Sequence, residues 1–415
     1  MRSSEPPLAR RALPLAAYWA LSMAPFGLSL PYLALYLREN AALSGAQIGA
    51  VFAVMPAVGI LGQPIWGLLA DRSGLRARSL VMISLGTAVG FLAIGRAQGF
   101  VAILAATALF ALFARAVIPM LLSVCLSSLE DHPHAFGWVR AFGTVGFAAS
   151  MFVFPAALHA YQSSHALSPT PGGATEPALG LLFPTAAALS AIAAAAALLI
   201  PNRGAVALRA GRGEWKVLLR NGRFLRLLSF CTVAFLFVNG PMELFPILVR
   251  ARGGDLHVVR DMWLFMLIPE IVLIAVLGTL VRRLGARALL ALGLFAGGLR
   301  WLLSGTIESL PFLYPVQMLH AIVVLGLNLG APLYVDAVVP PQLRSTAQSM
   351  LGTVAVGIGG MGSSLLAGWL LEHGGTDAPY LAGGAGALLL LVLFPRWLPP
   401  LDTSDANAGV PKRER

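Results

Sequence analysis

Apolar runs of about 20 residues, each long enough as helix to cross roughly 30 Å of hydrocarbon, recur from one end of the chain to the other. Charged or Gly/Pro-rich breaks separate them into twelve segments, near 13–37, 46–69, 79–97, 99–126, 138–161, 179–200, 224–249, 261–281, 288–307, 311–338, 345–372 and 380–398. The pattern predicts an all-α membrane protein with twelve transmembrane helices. The first run follows Arg10 and Arg11, as a signal peptide would, but is too long for a cleaved segment and is expected to be a retained first helix.

The longest break between spans, 201–223, carries Arg203, Arg209, Arg212, Lys216, Arg220 and Arg223. It divides the spans into an N-terminal bundle of six (1–200) and a C-terminal bundle of six (224–398), followed by a tail (399–415). Within the link, "EWKVLLR" suits a short interfacial amphipathic helix. The stretch "SSHALSPTPGGATEP" between the fifth and sixth runs is turn-rich and is expected to be a flexible loop. The loop after the second run reads "GLLADRSGLRAR" and the one after the eighth "GTLVRRLGAR", so that Gly67 and Gly74 recur as Gly278 and Gly285, both 211 residues on. A repeat of half the chain implies two pseudo-symmetric six-helix bundles, an architecture shared by many secondary transporters.

Composition agrees: 58% of the 415 residues are hydrophobic and 11% charged, where a soluble domain carries about 25% charge. The net charge of +11 does not point to nucleic acid, because the basic residues sit in short loops between apolar runs. They orient the chain instead. On this assignment 22 of the 29 Lys and Arg lie on the side of the termini, five opposite and two, Arg115 and Arg300, within the bilayer. The positive-inside rule then places both termini and the 201–223 link in the cytoplasm of a bacterium, with the spans in its inner membrane. A cysteine at position 212, in a variant lacking Cys125 and Cys231, should stay unlabelled by impermeant reagent from the periplasm; labelling from that side would overturn the orientation. The two natural cysteines fall inside apolar runs and suggest neither disulfide nor thiolate metal site.

At this point "GQPIWGLLADRSGLRAR" resembles the signature loop of the major facilitator superfamily. A narrower resemblance, to the branch with lactose permease, nucleoside symporters and phenylpropionate-type permeases, rests on "LPYLALYL", "FGWVRAFGTVGF", "PEI", "GLRWLL", "QMLH" and "LRSTAQSM" in that order. The resemblance implies the major facilitator fold and proton-coupled uptake by alternating access. It places Arg140 on a substrate-binding position and Glu270, Arg300 and His320 on proton-coupling positions. The chain departs from the branch at Leu122 and Val323, where relatives carry acids.

Counted from the predicted helix starts, Glu270, Arg300 and His320 lie at similar depth, between roughly 13 and 18 Å. A mid-membrane Arg costs about 2.5–3.5 kcal/mol and needs an internal partner or a water-filled cavity. Glu270 is the expected partner. His320 is the member of the three that changes charge near neutral pH, and Gln317, one turn before it, is placed to steer it. The alternative is a structural salt bridge beside a passive histidine. Arg115, with Arg140, Gln317 and Asn239, completes the expected substrate contacts. Arg115 suggests a carboxylate substrate, because Arg offers charge-assisted, bidentate hydrogen bonds; pairing with a C-terminal acid such as Glu270 is the alternative.

Asp71 opposes the dipole at its helix's C-terminus and needs a partner, with Arg72, Arg76 and the start of the eleventh helix as candidates. These residues, with Glu243, are the expected gating groups. Asn239, Gly240 and Pro241 suggest a broken end to the seventh helix, and Asp336 a rim contact for Arg344. Ala355, Gly359, Ser363 and Ala367, at four-residue spacing, predict a seam where another helix approaches closely.

No nucleophile elbow, zinc spacing or phosphate loop is present, and the His132/His134 loop with Glu130 and Asp131 is not expected to bind metal. The expectation is a non-enzymatic, monomeric symporter of a small organic solute, with the proton as coupling ion and no other cofactor. Its partners are the lipid bilayer and the solute, with no nucleic acid. A drug or metabolite efflux antiporter is the alternative transporter, and a non-transporting assembly factor or sensor the alternative from another class.

Overall fold

The computed structural model describes residues 8–130, 132, 134–168, 175–200 and 214–398. Residues 201–213 of the basic link, positions 169–174 of the turn-rich loop, Asp131 and the 399–415 tail lie outside the described residues. The chain divides into two compact units, Met1–Leu208 and Arg209–Arg415.

The first unit holds α1 (Leu8–Leu35), α2 (Gly45–Ser73), α3 (Arg76–Arg96), α4 (Phe100–Ser128), α5 (Ala135–Ser164) and α6 (Leu182–Ala197). The second opens with a helical turn at Glu214–Leu218, inside the predicted amphipathic stretch, and continues with α7 (Gly222–Ala251). The next element, Leu256–Thr306, is two spans, α8 (256–284) and α9 (286–306), separated at Gly285, whose φ is 74°. Then follow α10 (Leu310–Val338), α11 (Pro341–Gly374) and α12 (Ala378–Trp397). Among the described residues the fold is all-α, twelve spans in two pseudo-symmetric bundles.

The repeat is visible in the packing. α1 lies along α5 and α6 as α7 lies along α11 and α12, and α3 packs on α4 and α6 as α9 packs on α10 and α12. The matched glycines share a backbone role: Gly74, which ends α2, has φ 65° and Gly285, which ends α8, has φ 74°. Both are left-handed conformations that glycine adopts without steric cost.

Helix starts follow local capping rules. Ser44 and Gln47 form a reciprocal capping box at α2, and Asp255 accepts from the Val258 amide at 2.9 Å at α8. Between helices, small residues set the distance. A Cβ at Gly359 of α11 would lie 2.6 Å from the Thr232 carbonyl oxygen of α7, and one at Gly146 of α5 would lie 2.6 Å from the Ala20 carbonyl carbon of α1. The predicted small-residue seam of α11 is therefore the surface against which α7 packs, with Ala355, Gly359, Ser363 and Ala367 all buried.

One expectation is corrected. α7 runs unbroken through Asn239, Gly240 and Pro241. Pro241 removes the amide that would bond the Phe237 carbonyl, but neighbouring helices occupy the freed region. Gly383 of α12 packs against the Phe237 carbonyl, the Gly240 amide donates to Ser363 Oγ at 2.6 Å, and Trp301 Nε1 donates to the Val238 carbonyl at 3.0 Å. In hydrocarbon these contacts replace the water that would otherwise solvate a broken turn.

Candidate functional site

Arg300 on α9 is 1% exposed, and its hydrogen bonds define the site. Nε donates to Gln317 Oε1 at 3.0 Å and Nη1 to His320 Nδ1 at 3.0 Å, both on α10. Nη2 points to the sulfurs of Met242 on α7 and Met266 on α8, each at 3.3 Å. The guanidinium carbon lies 4.0 Å from the Trp301 ring centre, a cation–π distance. Gln317 in turn donates to Ser304 Oγ at 3.2 Å. Tyr380 of α12 closes the cluster edge-on to Trp301, ring centres 5.7 Å apart, and its buried hydroxyl has no hydrogen-bond partner among the described residues.

Among the described residues the groups that bond the cation are neutral. Glu270 lies half-buried on α8 beside Pro269, and the described hydrogen bonds of Arg300 run to other residues. A guanidinium has no acceptor, so Nδ1 of His320 accepts and the neutral ring carries its proton on Nε2. Gln317, expected to steer His320, bonds Arg300 instead.

Local irregularity places His320. α10 is helical over Leu310–Gln317, is interrupted at Met318, resumes over Leu319–Val323 and widens into a π segment over Val324–Leu329. Around Met318 the bonds tighten, with Met318 N to Pro315 O and Ala321 N to Met318 O both at 3.2 Å. Tight and wide turns inside one helix frequently mark functional positions. Close approach of α9 to α10 is set further along, where a Cβ on Gly293 would lie 2.6 Å from Gly326 Cα.

The other expected residues are distributed as follows. Asp71 Oδ1 takes two bonds from Arg76, Nε at 2.9 Å and Nη2 at 2.6 Å, and Arg76 Nη1 reaches Ser123 on α4 at 3.0 Å. The choice among Asp71's candidate partners thus falls on Arg76; Arg72 is exposed. A cavity of about 190 Å³ lies beside this tie, lined by Gln63, Trp66 and Pro119 among others. Glu243 accepts from Ser364 Oγ on α11 at 2.6 Å, and Asn239 is half-buried with its amide near Gly360. Asp336 and Arg344 meet as expected: Nη2 of Arg344 donates to the Asp336 carbonyl at 2.7 Å. In the N-terminal unit Arg115 on α4 and Arg140 on α5 are exposed, and the stem of Arg115 lies over Gly59 of α2, where a Cβ would come within 3.1 Å of its Cγ. Met242, Met266, Ser304 and Tyr380 carry no signal in the sequence that would have brought them to Arg300, although Trp301 lies within the quoted "GLRWLL".

Comparison with known proteins settles the family, since the model of the MFS_1 like family matches residues 13–382. The chain belongs to that family. Maltose permease of Geobacillus stearothermophilus is 28% identical over 397 residues, covering 91% of this chain and 93% of the permease. The probable 3-phenylpropionic acid transporter of Escherichia coli (strain K12) is 24% identical over 382 residues, covering 89% and 92%. Among solved structures, the nucleoside transporter NupG superposes with a TM-score of 0.80 at 17% identity, covering 94% of this chain and 99% of that one. The protein is a multi-pass secondary transporter of the major facilitator superfamily and not an enzyme.

Proposed function

We propose that this MFS_1 like transporter takes up a small organic solute together with protons across a bacterial inner membrane, both termini being cytoplasmic. The observation that carries the reading is the Arg300–His320 hydrogen bond inside the C-terminal bundle. Protonation of His320 at Nδ1 removes the acceptor and sets two cations side by side, so proton binding and the α9–α10 contact are coupled by elementary electrostatics. Glu270 is the carboxylate proposed to serve the same proton route.

The test is solute transport in proteoliposomes. His320→Gln keeps an oxygen that can accept from Arg300 but has no titratable nitrogen. Accumulation driven by a proton gradient should be lost, while exchange of labelled solute, which needs no net proton movement, should persist. Full accumulation by this variant would remove His320 from the coupling role.

For the solute, Arg115 on α4 and Arg140 on α5, both exposed, favour a carboxylate. Leu122, exposed on α4, offers no charge where relatives of the branch carry an acid. That one relative is named for 3-phenylpropionic acid supports the same class. Arg115→Lys keeps charge but loses the planar fork. It is expected to weaken apparent solute affinity about tenfold, equivalent to about 1.4 kcal/mol, and Arg115→Gln more. Unchanged transport by both variants, or an uncharged solute, would overturn the assignment.

A further inference from the structure

The two bundles differ in how their last two helices pack. In the second unit α11 and α12 both pack on α7 and on each other, whereas in the first unit α5 and α6 both pack on α1 without a comparable contact between them among the described residues. The result is an open groove of about 610 Å³, floored by α1 at Ala20 and Ala24 and walled by Ala149, Val153 and Ala157 of α5 and Leu189 of α6. Every residue lining it belongs to the first unit.

The groove's chemistry is apolar by arrangement as well as by composition. Its two aliphatic hydroxyls are turned onto backbone: Ser150 Oγ donates to the Ala24 carbonyl at 2.7 Å, and Thr185 Oγ1 to the Leu181 carbonyl at 2.8 Å. No donor is left along the walls for a carboxylate or a sugar. At one end the character changes. Tyr161 stacks on His165 with ring centres 4.0 Å apart, and Ser164 and His165 share a 2.9 Å hydrogen bond, all exposed. From Gly146 to Leu158 the apolar section spans about 18 Å of helix at 1.5 Å per residue, close to the roughly 15 Å of one leaflet's hydrocarbon. Tyrosine at the polar boundary is what a bilayer interface selects.

We propose that this groove is a binding site for an acyl chain of a phospholipid from the leaflet on the α5–α6 loop side, with its headgroup at the Tyr161–His165 rim. The chain fills the space that a direct α5–α6 contact closes in the other bundle, and the lipid is part of the folded N-terminal unit. Retention therefore depends on chain length and on the small size of Ala149 and Ala157.

Two measurements test it. The first is native mass spectrometry of the purified full chain after delipidation, with thermal unfolding on adding back phosphatidylethanolamine of long or short acyl chains; a ligand that binds the folded state raises apparent Tm. Wild type is expected to keep one phospholipid and gain Tm with the long chain only. Ala149→Trp and Ala157→Trp should lose the lipid and most of that gain, and Val392→Trp, on exposed α12 surface, should keep both. Equal retention in all four proteins, or none in wild type, would overturn the site, as would a wild-type dimer that Ala149→Trp dissociates, since the occupant would then be a second copy. The second measurement needs no variant. A phospholipid with a mid-chain diazirine should label wild type within 146–161 and 181–189, and adducts spread evenly over the spans would overturn the proposal even if the tryptophan variants fail to fold.

Discussion

Gln317→Leu is expected to destabilise the protein by about 2–3 kcal/mol, whereas Arg300→Met should leave stability equal or higher while abolishing solute accumulation. The asymmetry follows from which partner is left behind. Removing Gln317, which is 0% exposed, strands a charged N–H of Arg300 and the Ser304 hydroxyl in a site closed to bulk solvent. Removing Arg300 instead withdraws a cation that is 1% exposed and, among the described residues, bonded by neutral groups. A methionine there joins Met242 and Met266, Gln317 keeps its bond to Ser304, and the two acceptors that lose a donor, Gln317 Oε1 and His320 Nδ1, are uncharged. Burying a charge costs several kcal/mol, more than hydrogen bonds and ring contacts with neutral partners return. Thermal unfolding and uptake into proteoliposomes, measured on the same preparations, separate the two effects. If Arg300→Met falls in Tm as far as Gln317→Leu, the cation is holding the bundle together rather than being carried for function.

The second large effect concerns the α7–α11 seam. Gly359→Val sets a branched side chain where even a Cβ would lie 2.6 Å from the Thr232 carbonyl oxygen and 3.3 Å from Phe235 Cβ. Both obstacles are on α7, one of them backbone, so relief requires the helices to separate. Overpacking costs about 1–3 kcal/mol when side chains can adjust, and more is expected here, seen as loss of folded protein after detergent extraction. Gly352→Ala, on the same helix with nothing within 4 Å of its would-be Cβ, should be neutral or slightly stabilising by helix propensity. Comparable losses in both would mean that α11 is intolerant of any added side chain, and the seam would not be the reason.

These two regions also show where sequence reasoning succeeds. The bilayer fixes helix length, so twelve apolar runs translate directly into twelve spans. A four-residue spacing of small residues places them on one helix face, so the α11 seam was legible, and so was the repeat, because Gly74 and Gly285 answer the same backbone demand at matched turns. Depth along a helix was legible too, which brought Arg300 and His320 together. Rotation about the helix axis was not: depth alone put Glu270 level with Arg300, but the described hydrogen bonds of the guanidinium run to α10 and to two thioethers. Methionine sulfur leaves no pattern that distinguishes a cation's neighbour from ordinary filling. Asn239, Gly240 and Pro241 read as a break because the sequence does not reveal that α9, α11 and α12 would supply contacts to the exposed turn.

The wide turn at Val324–Leu329 has a mechanical consequence. A π segment holds more chain per turn than an α-helix, which amounts to slack of about one residue, worth roughly 1.5 Å of rise and 100° of rotation. Tyr334 and Val335 on one side of it and Gln317 and Ala321 on the other are all buried, so any transfer of that slack along α10 would turn the His320 end relative to the Tyr334 end without lengthening the helix. The wide turn thus gives α10 a place where register can be exchanged for rotation, four residues beyond His320.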